Sequence, residues 1–561
     1  MSDTFLSAAA QRATDATQPA DGGTEQLLNP RKIWDVYEKK DVLGTGAFGT
    51  VYRAVDRVTG TVVAVKQLQK DTDSRAEEEA LAEFKTCAKL SHPHVMRVYS
   101  YFDSVQSVYI VSELAAGGEL NDYLARHKEL NTEAGIANIA SQVLAALIYM
   151  HAERMVHHDI KPQNVLVTSQ KWSRDPSGTT PIVVLGDFGT ARLCRAARRA
   201  TLAQRGKLSR KMTLAAHGAA PPPGAAVVDD VLGTPEYCGP EVFVNQSGPR
   251  TDVYALGVTL YELLSGEKPF EVVWGDMFDF DFDSDDAATR YAQMRDPDLP
   301  ADLSRLKGVS AEGVACVGRM LNKDFGARPT AKQASEDAWF GHAGAEDAYF
   351  NPKSRRASAL CDAELEARAA RMHRRAAACC FGKALTSLVA SRLSDETLRR
   401  ERALFMRADG GLQAAPGAAA DGEAAVGGGV CFDGKLEAAE VAALFASRGW
   451  DEESAAKAVA ALDLDGNQGL GFNEWIAATM DLDVVSSGDG GAAVAKQIAS
   501  LFDEMDRNGD GLVDPAELRA HFGGTLSDEQ TAAFDAFFEG LDADGDGKVS
   551  RKDFESFWRR V

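Results

Sequence analysis

The sequence predicts a multidomain α+β protein in which a β-rich lobe, a helical lobe and an all-α domain follow one another along 561 residues. A glycine-rich hairpin and a V-A-V-K strand within residues 43–66 indicate the β-rich lobe. The uncharged stretch from Ala134 to Met150, with apolar residues at helical spacing, indicates a buried helix of the second lobe. Acidic twelve-residue loops between apolar helical segments near the C-terminus indicate the all-α domain. A chain of this length holds roughly three to four domains.

The composition is that of a largely folded protein. Hydrophobic residues make up 45% of the chain and charged residues 26%, which is typical of globular domains. The formal net charge of −22 argues against a nucleic-acid-binding protein, so we expect no nucleic-acid partner. The 8 cysteines are scattered and form no C-x-x-C pair, a pattern that fits free thiols in a reducing compartment.

The N-terminal residues lack a basic start followed by an apolar run, so no signal peptide is expected. Residue 2 is Ser, which excludes N-myristoylation, and no lipid anchor is evident. Asn138, Ser141 and Gln142 interrupt the apolar stretch at 134–150, which favours a buried helix over a transmembrane span. We therefore expect a monomeric, cytoplasmic protein, with the nucleus as an alternative location.

Residues 156–167 read V-H-H-D-I-K-P-Q-N-V-L-V and form a Pro-containing loop between apolar flanks. Phosphoryl transfer needs a carboxylate that orients the attacking hydroxyl, a cation near the transferred phosphate, and ligands for Mg²⁺. Asp159, Lys161 and Asn164 can supply these three functions in turn. Behind a β-like run, Asp187 opens a D-F-G triplet and can be the second Mg²⁺ ligand. Alone, such a triplet would indicate no more than a surface turn.

The pattern H-x-D-x-K-x-x-N followed by D-F-G resembles the protein kinases, and the resemblance covers roughly residues 37–340. It implies a bilobal fold with a β-rich N-terminal lobe and a helical C-terminal lobe, and ATP and Mg²⁺ as cofactors. It also implies that Arg328 pairs with Glu241 at the end of the activation segment, which runs from Asp187 to Glu241. The alternative is a pseudokinase scaffold, but none of the residues that the chemistry needs is missing.

The glycine-rich hairpin G-T-G-A-F-G-T-V lets backbone N–H groups close over phosphates, and the next strand should present Lys66 to the α- and β-phosphates. The resemblance implies that Glu83 pairs with Lys66; the alternative is a solvated glutamate on a helix face. It also implies that Ser112 is the gatekeeper and that Glu113 and Ala115 face the adenine. The expected ATP-binding residues are Leu43, Gly44, Gly46, Gly49, Val51, Ala64, Lys66, Ser112, Glu113, Ala115 and Glu119.

The chain departs from the kinase pattern at two places. His158 precedes the catalytic Asp, where the family has an Arg that receives an activation-loop phosphate. An imidazole of pKa about 6.5 would receive that phosphate weakly. The activation segment is also unusually long, and its basic excess at 192–226 is expected to be a disordered insertion.

Substrate preference is expected to follow from Glu119, which the resemblance places beside the ribose and the peptide groove. Related kinases hold there an Arg three residues before the phosphoacceptor, so we expect protein substrates with basic motifs and Arg at −3. Gln163 replaces a Glu that is common in the family, which should make Arg at −2 less important. Candidate autophosphorylation residues with Arg at −3 are Thr201, Thr213 and Ser358.

Twelve-residue acidic loops recur in the C-terminal third. From Asp506 to Glu517 the loop D-R-N-G-D-G-L-V-D-P-A-E places oxygen ligands at positions 1, 3, 5, 9 and 12 and Gly511 at position 6. This is the pattern of an EF-hand calcium loop. Residues 542–553 repeat it, but the closing Asp553 is one carbon shorter than Glu, which should weaken Ca²⁺ relative to Mg²⁺.

Two further loops depart from this pattern. In residues 463–474, Gln468 occupies the glycine position, at a cost of about 1 kcal/mol. Residues 429–440 keep the closing Glu but have Gly429 and Cys431 at positions 1 and 3, so we expect this degenerate loop to be structural and metal-free. The expected Ca²⁺ ligands are Asp463, Asp465, Asn467, Gly469, Glu474, Asp506, Asn508, Asp510, Leu512, Glu517, Asp542, Asp544, Asp546, Lys548 and Asp553.

Residues 351–400 join the two regions as a basic junction. Phe381, Leu385, Leu388 and Leu393 form an apolar stripe beside basic residues. A basic amphipathic helix of this kind suits a calmodulin-like groove. The alternative is an ordinary domain-packing helix.

The order of kinase, junction and four EF-hands resembles the calcium-dependent protein kinases of plants, algae and protists. It implies a serine/threonine kinase whose junction restrains it at rest, until Ca²⁺ opens the EF lobes and their groove captures the junction helix. An inert scaffold and a calcium buffer are the alternatives. The expected domains are a disordered tail (1–33), the kinase domain (37–340), the junction (351–400) and a calmodulin-like domain (396–561).

Overall fold

The computed structural model describes residues 32–46, 49–70, 90–168, 181–188, 190–193, 226–227, 233–242, 246–270, 301–342, 362–393, 395–409, 434–464, 466–480, 489–521 and 528–560. The chain divides into two compact units. The first comprises Met1–Leu114, Ser358–Ala414 and Gly434–Val561, and the second comprises Ala115–Ala357 and Ala415–Asp433. Predicted site residues outside the described ranges are Glu83, Thr201, Thr213, Ser358, Gly429, Cys431 and Asp465. Most of the predicted tail and of the insertion 192–226 also lies outside them.

A five-stranded antiparallel sheet forms the N-terminal part of the first unit, in the spatial order β1-β2-β3-β5-β4. The elements are α1 (Ile33–Val36), β1 (Tyr37–Gly46), β2 (Gly49–Asp56), β3 (Val62–Gln69), β4 (Val98–Asp103) and β5 (Ser107–Glu113). Val63 and Val65 of β3 are buried in an apolar cluster with Val111 of β5. Ala64 and Lys66 therefore lie on the opposite face, because side chains alternate along a strand.

The second unit is mainly helical. Its elements are β6 (Gly118–Glu119), α2 (Leu120–Arg126), α3 (Glu133–Ala152), β7 (Met155–Val156), β8 (Val165–Val167), β9 (Val183–Leu185), β10 (Arg192–Leu193), β11 (Ala226–Val227), β12 (Gln246–Ser247), α4 (Pro249–Ser265), α5 (Ala311–Met320), α6 (Ala331–Ser335) and α7 (Ala338–His342). Thr132 caps α3, since its side chain accepts a hydrogen bond from Gly135 N at 3.1 Å. By length and composition α3 could cross a membrane, but 78% of its apolar window is buried inside the protein. The prediction of a buried helix is confirmed.

Short β-ladders place the loop of residues 157–164. β8, which follows the loop, pairs with β6 on one side and with β9 on the other. β7, which precedes it, pairs with β10. Gly186, just beyond β9, donates its N–H to Asn164 O at 2.9 Å. The loop is therefore fixed at both ends and joined to the residue that precedes Asp187.

The C-terminal part of the first unit is helical apart from two-residue strands. Its elements are α8 (Asp362–Ala376), α9 (Cys380–Ser391), α10 (Asp395–Asp409), β13 (Lys435–Leu436), α11 (Ala438–Phe445), α12 (Glu452–Leu462), β14 (Leu470–Gly471), α13 (Phe472–Thr479), α14 (Asp489–Met505), β15 (Leu512–Val513), α15 (Pro515–His521), α16 (Asp528–Leu541), β16 (Val549–Ser550) and α17 (Arg551–Arg560). β13 pairs with β14, and β15 pairs with β16. The twelve-residue loops are thus joined in two pairs. The eighth residue of each loop is buried; these residues are Leu436, Leu470, Val513 and Val549. The order of a β-rich part, a helical part and an all-α part matches the predicted fold class.

Candidate phosphotransfer site and calcium loops

Asp252, at the start of α4, holds the backbone of the phosphotransfer loop. Its side chain is fully buried, and its carboxylate accepts from His157 N at 2.9 Å and from His158 N at 2.8 Å. The ring Nε2 of His151 lies 2.9 Å from Asp252 Oδ2. Burial alone would raise the pKa of Asp252, but the hydrogen bond from His151 and the neighbouring imidazoles hold that pKa below its usual value. Sequence reasoning did not identify this function of Asp252, because its partners lie about a hundred residues away along the chain.

Asp159 lies at the centre of a compact polar cluster. Its Oδ2 is 2.8 Å from Lys161 Nζ and 2.8 Å from Asn164 Nδ2. Its Oδ1 accepts from Thr234 N at 2.9 Å and from Thr234 Oγ1 at 2.6 Å, and Lys161 Nζ also donates to Thr234 Oγ1 at 2.7 Å. The structure therefore brings together the three predicted loop residues and adds Thr234, which sequence reasoning missed. The Thr234 hydroxyl donates a hydrogen bond to Asp159, which is the contact that a substrate hydroxyl would need to make.

Asn164 and Asp187 form the candidate Mg²⁺ ligand pair. Asn164 turns its amide nitrogen toward Asp159, so its amide oxygen is the atom that it can offer to a cation. Asp187 adopts a left-handed φ of 55°, which Asp tolerates better than most residues. Phe188 beside it is buried, with its ring 5.1 Å from the ring of His157. A carboxylate and an amide oxygen are hard ligands that suit Mg²⁺.

The sheet of the first unit gathers the predicted ATP-pocket side chains on one face. Lys66 is the cross-strand partner of Val51, and Ala64 is the partner of Ser112, so all four side chains share the face opposite the apolar cluster. Gly49 has a φ of 112°, and a Cβ there would lie 2.1 Å from the carbonyl oxygen of Gln67. A side chain at Gly49 is therefore excluded. Leu43, Gly44 and Gly46 belong to β1 on the same hairpin.

Glu113 at the end of β5 uses its side chain inside its own unit. Its carboxylate accepts from Arg97 Nη2 at 3.1 Å and from Arg97 N at 2.9 Å, and both side chains are buried. What Glu113 can offer to an adenine is therefore its backbone. In the second unit, Ala115 precedes β6 and Glu119 ends it, at the first turn of α2.

The loop from Asp506 to Glu517 has carboxylates at both ends that turn inward. Asp506 Oδ2 accepts from Gly511 N at 2.8 Å. Glu517 Oε1 reaches across the loop to accept from Arg507 N at 3.0 Å and from Asn508 N at 3.1 Å. Carboxylate oxygens are hard ligands, and their inward orientation at both ends of the loop fits Ca²⁺.

The loop at 542–553 closes differently. Asp542, Asp544 and Asp546 offer carboxylate oxygens within 4.8 Å of one another. The closing Asp553, however, accepts from Ser550 N at 3.1 Å and from Ser550 Oγ at 2.5 Å, at the start of its own helix. Glu517 makes the equivalent local contact, with Asp514 N at 3.1 Å, but its other carboxylate oxygen also reaches across the loop. In the described part of the chain, the shorter Asp553 carboxylate accepts from Ser550 alone. This supports a weaker Ca²⁺ site at 542–553.

Comparison with known proteins identifies both regions. The model of the protein kinase domain matches residues 37–340, more than half of the chain. The chain belongs to the protein kinase family. An EF-hand domain pair matches residues 495–559 of the same kinase.

Curated relatives are kinases as well. Calcium/calmodulin-dependent protein kinase type 1 of Caenorhabditis briggsae is 29% identical over 309 residues, 55% of this chain and 73% of that protein. CBL-interacting protein kinase 24 of Oryza sativa subsp. japonica is 30% identical over 324 residues, 57% of this chain and 60% of that protein. Calcium-dependent protein kinase 5 of Plasmodium berghei (strain Anka) is 28% identical over 245 residues, 44% of this chain and 37% of that protein. The predicted enzyme class, a serine/threonine protein kinase, is confirmed.

The kinase also has the predicted pair at the end of its activation segment. Arg328 Nη1 donates to Glu241 Oε1 at 2.6 Å, and Arg328 Nη2 to Glu241 Oε2 at 3.0 Å. The Arg328 side chain is completely buried and lies over the ring of Tyr254. The prediction of this pair is confirmed.

In the loop at 463–474 the predicted strain is present. Gln468 has a φ of 71°, the left-handed region that favours glycine. Its N–H still donates to Asp463 Oδ2 at 2.8 Å, and Glu474 Oε1 accepts from Leu464 N at 2.5 Å. The loop therefore keeps the contacts of the loop at 506–517 despite its strained residue. Asn467 and Gly469 lie in the same turn.

The first of the four twelve-residue loops was misaligned by counting along the sequence. Gly434 N donates to Asp409 Oδ2 at 3.1 Å, the contact that joins position 6 to position 1 in the loop at 506–517. Glu440 Oε2 accepts from Glu437 N at 3.0 Å, as the closing Glu of that loop accepts from its position 9. The first position is therefore Asp409, at the end of α10, and its assignment to Gly429 is wrong.

The reason for this error is an insertion inside the loop. Residues 410–433 separate Asp409 from Gly434, whereas four residues separate the equivalent positions in the other three loops. Counting back eleven residues from Glu440 therefore gives Gly429, which belongs to the insertion, instead of Asp409 at the end of α10. Gly429 and Cys431 are therefore not loop positions 1 and 3, and they give no reason to expect a metal-free loop.

The junction stripe also needs one correction. Phe381, Leu385 and Val389 of α9 and Leu393 just after it are buried, whereas Leu388 is half-buried. These buried residues recur every four positions, which keeps them on one helix face. The stripe therefore runs through Val389 instead of Leu388.

Proposed function

We propose that this kinase is activated by calcium binding to its own EF-hands, through the junction helices α8 and α9. The observation that carries the proposal is the packing of α9 among EF-hand helices. The ring of Phe381 lies 5.5 Å from that of Phe534 and 5.7 Å from that of Phe537, both on α16. The helix that leads into the loop at 542–553 therefore contacts the predicted autoinhibitory junction directly.

Basic junction side chains make a second set of contacts with the EF-hand at 463–474. Lys383 Nζ donates to Ala461 O at 2.9 Å, near the end of the helix that enters this loop. Arg375 donates to Ala477 O, and Arg371 donates to Thr479 O at 2.8 Å, at the end of the helix that leaves it. Cations are favoured at helix C-termini, where backbone carbonyls lack partners. The junction thus holds both helices of one EF-hand.

These contacts supply a physical link between calcium and the junction. Ca²⁺ binding to a sensor EF-hand changes the angle between its two helices. Because Arg371, Arg375 and Lys383 hold both helices at their C-terminal ends, a change in the angle between these helices would move the junction. For activation to follow, Ca²⁺ must bind more tightly to the arrangement in which the junction is captured by the EF lobes.

In the catalytic unit, the proposed chemistry assigns one task to each loop residue. Asp159 orients the substrate hydroxyl and accepts its proton, and Lys161 places a positive charge near the transferred phosphate. Asn164 and Asp187 would hold Mg²⁺, which neutralises charge on the phosphates of ATP when it is bound. The family resemblance assigns to Lys66, on β3 of the first unit, the contact with the α- and β-phosphates.

The substrate proposal rests on two carboxylates at the start of α2. Partial burial and the neighbouring Asp122 raise the pKa of Glu119, against the attraction of Lys161. A substrate Arg at −3 would relieve the repulsion between the two acids and form a charge-assisted pair. We therefore propose basic protein substrates with Arg at −3.

A matched pair of junction variants tests the calcium link. Leu385→Ala removes a fully buried side chain from the EF-hand contact, whereas Leu388→Ala makes the same change at a half-buried position. We expect Leu385→Ala to raise the calcium concentration for half-maximal peptide phosphorylation by about tenfold or more, since burying a Leu contributes roughly 2–5 kcal/mol. Leu388→Ala should shift it much less. Equal shifts would contradict the proposed contact.

A further inference from the structure

His158, the residue before Asp159, is held in an unusual conformation by two buried groups. Its φ is 68°, a left-handed value that is uncommon for a residue other than glycine. Its backbone N–H donates to Asp252 Oδ1 at 2.8 Å, and its ring Nε2 lies 2.8 Å from Ser247 Oγ. The exposed fractions of His158 and Ser247 are 6% and 4%. Such a conformation persists only when the surrounding structure determines it.

Ser247 lies on a strand that also holds the activation segment. It belongs to β12, where its cross-strand partner is Ala226, and Gln246 is paired with Val227. Residues 226–227 belong to the activation segment that begins at Asp187. One strand therefore contacts both the residue before the catalytic Asp and the distal part of the activation segment.

Another part of the activation segment contacts His158 and Asp159 directly. Gly233 has a φ of 105°, and a Cβ there would lie 2.2 Å from His158 O. Thr234 donates both its N–H and its hydroxyl to Asp159 Oδ1. His158 and Asp159 are thus held by the Ser247 hydroxyl and by the close approach at Gly233–Thr234.

We propose that Ser247 is a positioning residue of this kinase. Its hydroxyl binds His158, and its strand pairs with residues 226–227, so Ser247 joins the activation segment to the loop that carries Asp159. The proposal rests on the proposed function, because it concerns the geometry of the same phosphotransfer site. Because the Ser247 hydroxyl makes this link, we expect phosphoryl transfer without phosphate on the insertion at 192–226.

The test uses the full-length kinase, a peptide with Arg at −3, and saturating calcium. Ser247→Ala should lower kcat about tenfold, with the KM for ATP and the calcium midpoint unchanged, because it removes one buried hydrogen bond of the catalytic loop. Ser247→Thr keeps the hydroxyl and should restore kcat to within about twofold. A variant that acted only by lowering stability would shift the fraction of active enzyme, which an active-site titration measures separately.

A double-mutant cycle and a phosphatase test complete the experiment. His158→Ala combined with Ser247→Ala should lose no more activity than the worse single variant, because both remove the same bond. Phosphatase-treated wild type, with phosphate removal checked by mass spectrometry, should keep its kcat, as should Thr201→Ala and Thr213→Ala. Losses that multiply in the double variant, an unchanged kcat in Ser247→Ala, or a collapse after phosphatase would each overturn the proposal.

These outcomes separate the inference from the proposed function. If Ser247→Ala does not fold, the phosphatase result on wild type still decides. A wild-type chain that phosphorylates the peptide equally with and without calcium contradicts the proposed function, whereas the effect of Ser247 on kcat can be measured in either case.

Discussion

The phosphotransfer loop and the calcium loops are built from similar polar residues, but they are held together over different distances along the chain. Asp159 is bound by Thr234, 75 residues away, and the backbone of His157 is bound by Asp252, 95 residues away. In the calcium loop at 506–517, Asp506 is bound by Gly511 only five residues on. The catalytic geometry thus depends on the packing of a whole lobe, whereas the loop at 506–517 is held mainly by contacts within its own twelve residues.

This difference separates the two functions physically. A change in the long-range contacts should disturb phosphoryl transfer and leave calcium binding intact. A change inside one twelve-residue loop should disturb calcium binding and leave the catalytic geometry intact. The junction is the element through which the proposal couples them.

Among changes outside the phosphotransfer loop, the largest effect is expected from Asp252→Asn, which nearly preserves the shape of the side chain. The amide cannot accept from the N–H groups of both His157 and His158 as the carboxylate does, and two charge-assisted hydrogen bonds of about 1.5 kcal/mol each correspond to about a hundredfold in kcat. Calcium titration of the same variant should match wild type. Asp302→Asn, at an exposed acidic residue of the same unit, is the control and should leave kcat unchanged. A kcat near wild type for Asp252→Asn would show that the long-range anchor is dispensable.

The same difference in distance along the chain explains which site residues could be predicted from the sequence. The loops at 463–474, 506–517 and 542–553 and the triplet at Asp187 were predicted because their residues are local in sequence. The Arg328–Glu241 pair was predicted only through the family resemblance. Thr234, Asp252 and Ser247 were missed because their partners lie far away along the chain, and nothing near them in sequence marks them.

The first calcium loop shows the same limit from the opposite side. It is a local motif that an insertion converts into a long-range one, with Asp409 and Gly434 separated by 25 residues. Counting along the sequence then selected Gly429. The stripe of α9 was shifted by one residue, to Leu388, for another reason: helical spacing alone does not decide between neighbouring apolar residues at the edge of a buried face.

The second prediction concerns the closing residues of the calcium loops. Glu517→Gln removes a carboxylate that reaches across its loop, and should weaken calcium binding there about ten- to a hundredfold, for a loss of roughly 1.5–3 kcal/mol. Asp553→Asn should cost less, since the Asp553 carboxylate bonds to Ser550 and does not reach across its loop as Glu517 does. Calorimetric calcium titrations with excess Mg²⁺ distinguish the two. An equal or larger loss for Asp553→Asn would contradict the difference in geometry.

The third prediction concerns substrate choice. Glu119→Gln should reduce the preference for Arg at −3 about tenfold, because one charge-assisted contact of about 1.5 kcal/mol is lost. The readout is the ratio of kcat/KM for two peptides that differ only in Arg or Ala at −3. Glu129→Gln removes an exposed carboxylate beside His127 and serves as the control. A preference unchanged in Glu119→Gln would place the Arg pocket elsewhere.

The smallest effect is expected in the first loop, in which the insertion at 410–433 separates Asp409 from Gly434. Asp409→Ala leaves the Gly434 N–H without its acceptor in a buried place and should lower the free energy of unfolding by about 1–3 kcal/mol. Gly429→Ala should have no comparable effect, although Gly429 is the first loop position by simple counting. Thermal unfolding of both variants with calcium chelated compares them directly. Greater destabilisation by Gly429→Ala would reverse the assignment.

The central claim is that one chain both senses calcium and transfers phosphate. The most direct measurement is the initial rate of phosphorylation of a peptide with Arg at −3 by the purified full-length chain with ATP and Mg²⁺, first with micromolar Ca²⁺ and then with a calcium chelator. We predict rapid phosphorylation in calcium and a rate at least about tenfold lower in chelator, which renewed calcium restores. Asp159→Asn should show no turnover in either condition. Equal rates with and without calcium, or wild-type turnover by Asp159→Asn, would contradict the account.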